Sequence, residues 1–372
     1  MTLLLFLFVC ARWASASPAD DAFRAGDCHR CHEVPGWEPT PRVESCAVCH
    51  AWIRGVASDP AKRARAMEVF PLWQRYEENT RSYVEVPSLA ASMARLDSEW
   101  IRTYLRDPHD LRPRLDETMP RFALTETQLD ALVDAFESRR VSVAATPPPA
   151  ASRVAAGEAL FTSKGCAACH TYGARHVVGA TPLSPDLAHT RDRMDADHVA
   201  AWIRDPKALS PDATMITIPL AEDEVLALRD YVLLAEPGWV EATPLGPDPK
   251  PTREPVRWAD VESRVFGKIC VHCHMNPATN EGRRGPGNAG GFGWPETGIE
   301  LETPAGVAAV ADRIPDALLR RRQEAHRDAI DPGTKPATLT RPEKPGMPLG
   351  LPPLSDEDIS LVLGWLEQGM PP

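Results

Sequence analysis

Several things are scarce in this 372-residue chain. Aromatic side chains make up only 6% of it, so large rings alone do not fill a core of this size. Basic charge is short: 41 Lys and Arg stand against 52 Asp and Glu, a formal net charge of −11. A nucleic-acid binder normally carries the opposite excess, so that class is excluded. Long apolar runs are absent. Residues 3–9, Leu-Leu-Leu-Phe-Leu-Phe-Val, fall well short of the ~20 residues that cross a bilayer, and no later stretch is apolar enough for a transmembrane helix. Disorder is excluded in turn by 43% hydrophobic and 25% charged residues. Proline is abundant instead, at 38 residues, about twice the usual ~5%. Such a chain builds short elements and stiff connectors. Its length allows two or three domains of roughly 100–200 residues each.

The apolar run at 3–9 is followed by Ala14-Ser15-Ala16, a small-x-small cleavage signal. Residues 1–16 therefore read as a secretory signal peptide, although only the α-amino group supplies positive charge ahead of the run. Cys10 follows Val9 rather than a small residue, which argues against lipoprotein processing. The mature chain is expected outside the cytoplasm, in a periplasm or beyond it. Its charge becomes −12, because Arg12 is the only charged residue removed.

Nine cysteines are present, and Cys10 leaves with the signal. The other eight form four pairs: Cys28/Cys31, Cys46/Cys49, Cys166/Cys169 and Cys270/Cys273. A histidine follows each pair: His32, His50, His170 and His274. Two thiols at this spacing add to the two vinyl groups on one porphyrin edge, and the adjacent imidazole reaches the iron as proximal ligand. The motifs thus point to covalently attached haem c, four copies per chain. Disulfides are the first rival, but a Cys-x-x-Cys loop is too small to stabilise much and leaves the histidines unexplained. A zinc ribbon from the first two pairs, 14 residues apart, is the second. It leaves the pairs at 166 and 270 without partners.

An internal repeat of about 100 residues organises the rest. Residues 141–156 form a Pro/Ala linker, and residues 237–257 a second Pro-rich linker. They separate segments 17–140, which carries two haem motifs, 157–236 and 258–372. Each segment has an aromatic before its first cysteine (Phe23, Phe161, Phe266) and a late methionine (Met119, Met215, Met347). After each methionine comes an acidic helix start, and then a helix with an aromatic: Phe136, Tyr231 or Trp365. Thr125-Glu126-Thr127-Gln128 reads as a capping box. The first two segments also share Leu105-Arg106-Asp107-Pro108 and Ile203-Arg204-Asp205-Pro206, each closing a helix before proline.

On these motifs the chain resembles the class I cytochrome c family, most closely in the middle segment. Gly157-Glu158-Ala159-Leu160-Phe161 followed by Cys166-Ala167-Ala168-Cys169-His170 is similar to that family's first helix and haem motif. The resemblance implies that Gly157 and Phe161 cross Tyr231, that the Pro185 carbonyl orients His170, and that Met215 is the distal ligand. The last segment resembles bacterial variants with Met347-Pro348, Ser355-Asp356-Glu357 and Trp365, but carries a long insertion at 275–346. The first departs further, having two haem motifs and one Met-Pro, Met119-Pro120. The implied fold is all-α: three small cytochrome c-like helical haem domains with loop-rich insertions, joined by Pro-rich linkers.

The expected iron ligands are His32 with Met119, His170 with Met215, and His274 with Met347. Met370 is a poorer rival for the fourth haem. The second haem, at His50, has His109 as first choice for its sixth ligand, then Met67 and Met93, with an open position as the alternative. His29 is tied inside its own haem loop. Histidines 176, 189, 198, 272 and 326 read as surface or haem-edge residues. Gly282 to Gly293, with Arg283 and Arg284, reads as a surface loop. Arg320-Arg321-Arg322, with Arg313 and Arg327, reads as a solvated helix face, or else as a dock for an acidic partner. His/Met haem c cycles between ferric and ferrous states with little rearrangement, so the expected function is electron transfer between redox protein partners. Two rivals stand beside it: an enzyme, of peroxidase or small-oxyanion oxidoreductase type, using the second haem as an open site, and a haem subunit of a membrane respiratory complex.

Overall fold

The computed structural model describes residues 17–41, 45–70, 73–80, 86–109, 111–112, 119–177, 184–275, 298–328, 334 and 344–372. The expected signal peptide, residues 1–16, and the Gly282 to Gly293 segment lie outside the described residues. Among those described, the chain is all-α, with helices, short 3₁₀ turns and isolated bridges but no sheet. No helix among them is long and apolar enough to cross a membrane.

The first unit holds α1 (Pro18–Ala25), α2 (Cys46–Ala57), α3 (Pro60–Val69), α4 (Trp73–Asn79), α5 (Leu89–Met93), α6 (Ser98–Arg106) and α7 (Glu126–Ser138). Local sequence explains the starts. Ser17 and Asp20 form a capping box on α1, and Thr125 and Gln128 form the expected one on α7. Helix α1 packs on α7, burying Phe23 and Phe136 in one cluster. Helices α2–α4 make a separate small core around Ile53, Ala66 and Trp73.

The second unit holds α8 (Val154–Ser163), α9 (Thr190–Arg193), α10 (Ala196–Arg204), α11 (Pro206–Leu209) and α12 (Glu222–Leu234). Helix α8 crosses α12 at Gly157, where a Cβ would stand 2.1 Å from the Ala227 carbonyl oxygen and 2.6 Å from Tyr231 Cβ. Only glycine permits that approach. It brings Phe161 and Tyr231 together with ring centroids 5.4 Å apart. Each is essentially fully buried, and burial of a side chain of this size contributes roughly 1.5–3 kcal/mol.

The third unit holds α13 (Trp258–Val261), which runs on into a π-helical stretch Glu262–Phe266, then α14 (Pro304–Ala308), α15 (Ile314–Asp328) and α16 (Asp356–Glu367). Ser355 caps α16 through the Asp358 N–H. Phe266 and Trp365 meet at 6.0 Å, repeating the aromatic crossing of the second unit.

The units are not beads on a string. Met194 and Val199 of the second lie in the same core cluster as Phe23, Leu96, Ile101 and Phe136 of the first. The contact is reciprocal: Arg95 stacks over Trp202 at 4.7 Å, and Arg193 over Trp100 at 5.3 Å. Both arginines stand two residues before the Asp that caps the next helix, Asp97 or Asp195. The third unit is held by Arg327 on Asp107 at 2.7 and 2.8 Å, and by Lys268 on Glu78 at 2.6 Å.

Both Pro-rich connectors are pinned rather than loose. Arg229 and Asp230 are fully buried; they bind Thr146 Oγ1 (2.6 Å), the Pro147 carbonyl (2.9 Å), the Ala150 N–H (3.0 Å) and Arg153 Nε (2.6 Å). The second connector donates Thr252 N–H to the Ser360 carbonyl at 3.0 Å and accepts from Gln368 at the Glu254 carbonyl at 2.9 Å. Two tethers therefore became packed strands of coil, because their freed backbone groups found buried partners.

Candidate haem sites

Three of the four Cys-x-x-Cys-His motifs adopt one backbone form. In each, a single 3₁₀ turn starts at the first cysteine: Cys28–Arg30, Cys166–Ala168 and Cys270–His272. The carbonyl of that cysteine accepts from the second cysteine's N–H at 3.1–3.2 Å and from the histidine's N–H at 2.8–2.9 Å. Asp27 and Gly165, with φ of 49° and 82°, make the left-handed step into the first two of these turns. The second motif differs. Cys46, Cys49 and His50 lie on the first turn of α2, which Ser45 caps through the Val48 N–H at 3.2 Å.

Two of the proximal histidines are oriented from behind by backbone. His170 Nδ1 donates to the Pro185 carbonyl at 3.0 Å, as the family resemblance implies, and His32 Nδ1 donates to the Pro87 carbonyl at 2.8 Å. A donating Nδ1 leaves the Nε2 lone pair for iron. Burial lowers the pKa of His32, His170 and His274, while backbone from Pro87, Pro185 and Ile299 acts in the other direction. The orienting loop is then closed by a leucine two residues on. Leu89 N–H donates to the Glu33 carbonyl (3.2 Å), Leu187 to Thr171 (3.1 Å) and Leu301 to His274 (2.8 Å). Pro87 and Ile299 were missed in the sequence. The signal was there in Val86-Pro87-Ser88-Leu89 beside Ser184-Pro185-Asp186-Leu187, with Gly298-Ile299-Glu300-Leu301 keeping only the leucine.

The three candidate distal methionines are half-buried. Met215 Sδ accepts a hydrogen bond from Trp202 Nε1 at 3.1 Å. The Met347 loop lies on α15: its N–H donates to the Ala317 carbonyl at 2.8 Å, and Gly346 N–H donates to Glu324 at 3.2 Å. A Cβ on Gly346 would stand 2.0 Å from the Arg321 nitrogen, so the loop needs glycine there. Here the expectation of a solvated basic face fails. Arg321 and Arg322 are 4% and 8% exposed. Arg321 donates to the Leu351 carbonyl at 2.9 Å and Arg322 to Asp356 at 2.7 Å, so these cations clamp the Met347 loop and α16 onto the insertion.

The cysteines come together across units. Cys31 and Cys46 hydrogen bond to each other, and Cys273 and Arg30 lie within electrostatic reach of Cys46. Ser45 Oγ also donates to the Arg30 carbonyl at 3.4 Å. None of the eight motif cysteines is paired in a disulfide. Burial pushes Cys28 up to about 11 and Cys270 and Cys273 up to about 12. Among the described residues no three His, Cys, Asp or Glu side chains are arranged as a metal-ion site. Four cysteine pairs, each followed by an imidazole, fit haem c, and the pairs at 166 and 270 have no place in a ribbon.

His109 lies at the junction of the units. Its Nδ1 bonds the Asp107 carbonyl at 3.0 Å, its ring is 5.8 Å from Tyr104, and it is close enough to His189 to act on its charge. Nearby, Asp186 N–H donates to the Leu111 carbonyl at 2.9 Å. Met93 is buried among Phe23, Leu132 and Phe136 as core, and Met67 is 43% exposed on α3. His198 is not a surface residue. It is 6% exposed and ties Asp195 to the Val141 carbonyl at 2.9 Å each. His176 packs against Phe161 at 5.0 Å.

Residues 154–234, from α8 to α12, match the family model of cytochrome c. No curated protein and no solved structure matches the chain. Residues 154–234 thus match a cytochrome c domain, a family that holds haem c covalently and transfers electrons.

Proposed function

We propose that the chain is an exported tetrahaem c-type cytochrome that relays electrons between a donor and an acceptor protein. The observation that carries this reading is the recurrence, in the first and third units, of the arrangement found in the cytochrome c domain: the thiol turn, the half-buried imidazole and the leucine-closed loop behind it. The second motif supplies the same residue types on α2, in contact with the first.

Bound haem c supplies an iron that cycles between ferric and ferrous states. The chain's own residues set the rest. Cys28, Cys31, Cys46, Cys49, Cys166, Cys169, Cys270 and Cys273 fix the porphyrins, and His32, His50, His170 and His274 present Nε2. Met119, Met215 and Met347 offer thioethers, which favour the softer ferrous iron and raise the potential relative to bis-His ligation. His109 is the candidate for the sixth place at the second haem. Cys46 lies within reach of both Cys31 and Cys273, which supports placing the first, second and fourth haems near one another. Trp202, which hydrogen bonds to Met215, stands at the boundary with the first unit beneath Arg95.

Low-temperature EPR of the oxidised protein, with carbon monoxide added to the reduced form, tests the relay. Four low-spin haems and no carbon monoxide adduct are expected. A high-spin, carbon monoxide-binding haem would move the second site to the enzyme reading.

A further inference from the structure

We propose that Arg95 of the first unit tunes the reduction potential of the third haem, by fixing the Trp202 indole that hydrogen bonds to the Met215 sulfur. This rests on Met215 being the third haem's distal ligand.

The contacts run in one line across the unit boundary. Arg95, just after α5, donates to the Ala91 carbonyl, which fixes its side chain. Its guanidinium carbon lies 4.7 Å from the centroid of the Trp202 ring. Trp202 projects from α10, and its Nε1–H donates to Met215 Sδ at 3.1 Å. A thioether sulfur has two lone pairs, so one remains for iron while the other accepts from the indole. The guanidinium is largely desolvated, and burial pushes its pKa down to about 10, which still leaves it charged at neutral pH. Asp212, the carboxylate that acts against this shift, is exposed.

Two physical effects follow, and they share a sign. A fixed, half-buried cation disfavours the extra positive charge of ferric iron, and does so more strongly where water is partly excluded. A cation over an indole also polarises the ring and its N–H. The stronger N–H···S bond then draws density from the sulfur and weakens its donation to ferric iron. Both raise the potential. The arrangement is one-sided. The matching Arg193 stacks on Trp100, which stands at the place of His198 in the repeat, not at that of Trp202. The first unit acts on the third haem through this contact, and docking of the two units becomes part of the redox setting.

The test uses the full-length holoprotein, with a potentiometric titration and the ferric methionine-to-iron charge-transfer band as readouts. Met215→His first identifies the third haem's component, which should fall in potential while part of the band is lost. Arg95→Leu should shift that same component downward and leave the other three in place, with haem content unchanged. Trp202→Phe, which keeps the ring and removes the donor, should shift it the same way and carries the test if Arg95→Leu does not fold. Arg95→Lys should restore most of the potential. An unmoved component in Arg95→Leu, or an equal shift of all four, overturns the proposal. A Met215→His protein with an unaltered band and titration would instead remove the ligand assignment, and the tuning with it.

Discussion

At the scale of single residues, the fold depends on a few places where an atom more would not fit. Gly157 is the plainest, because its missing Cβ would lie 2.1 Å from the Ala227 carbonyl oxygen. Gly157→Ala should force α8 away from α12 at a cost of about 1–3 kcal/mol. Chemical denaturation followed by haem absorbance would measure it, and an unchanged midpoint would mean that the helices slide freely. Gly157, Phe161 and Tyr231 were legible through the resemblance to class I cytochromes c, which implies that the first and last helices cross at these places. The places of Pro87 and Ile299 left only a faint trace, a shared Pro-x-Leu in one case and a lone leucine in the other. What matters there is a backbone oxygen, and any residue type can supply one. Arg95 and Trp202 were silent, since their meeting depends on how two units dock.

At the scale of elements, the basic run on α15 is the instructive case. Sequence composition alone assigns three adjacent arginines to solvent. The structure buries two of them, because their partners Leu351 and Asp356 lie about 30 residues away, beyond any local pattern. Glu324, 5% exposed, is the carboxylate shared by Arg321 (3.8 Å), Arg121 (3.9 Å) and the Gly346 N–H. Glu324→Ala should cost about 3 kcal/mol, the usual scale for breaking a buried ion pair. The loosened Met347 loop should then let carbon monoxide reach one reduced haem that is closed in the parent protein. A variant that loses stability but stays closed would separate the clamp from the ligand loop. The capping boxes, by contrast, were readable, since a Thr-x-x-Gln cap is complete within four residues.

At the scale of the whole molecule, composition misled in one respect and guided in another. The Pro-rich stretches look like tethers, yet Arg229 and Asp230 hold the first of them in the core of the second unit. Limited proteolysis of the holoprotein should therefore spare residues 141–153, and early cleavage there would show that the connector opens. The acidic balance remains a sound guide. Haem propionates add to the net charge of −11, so association with a basic redox partner should slow as salt rises. A rate insensitive to ionic strength would exclude electrostatic steering.

The central claim is four haems on one chain, and intact mass with a thiol assay tests it most directly. After removal of residues 1–16, the protein should carry the mass of four haem groups and no free thiol among its eight cysteines. Fewer haems, or a Cys31–Cys46 disulfide in place of two thioether bonds, would contradict the account.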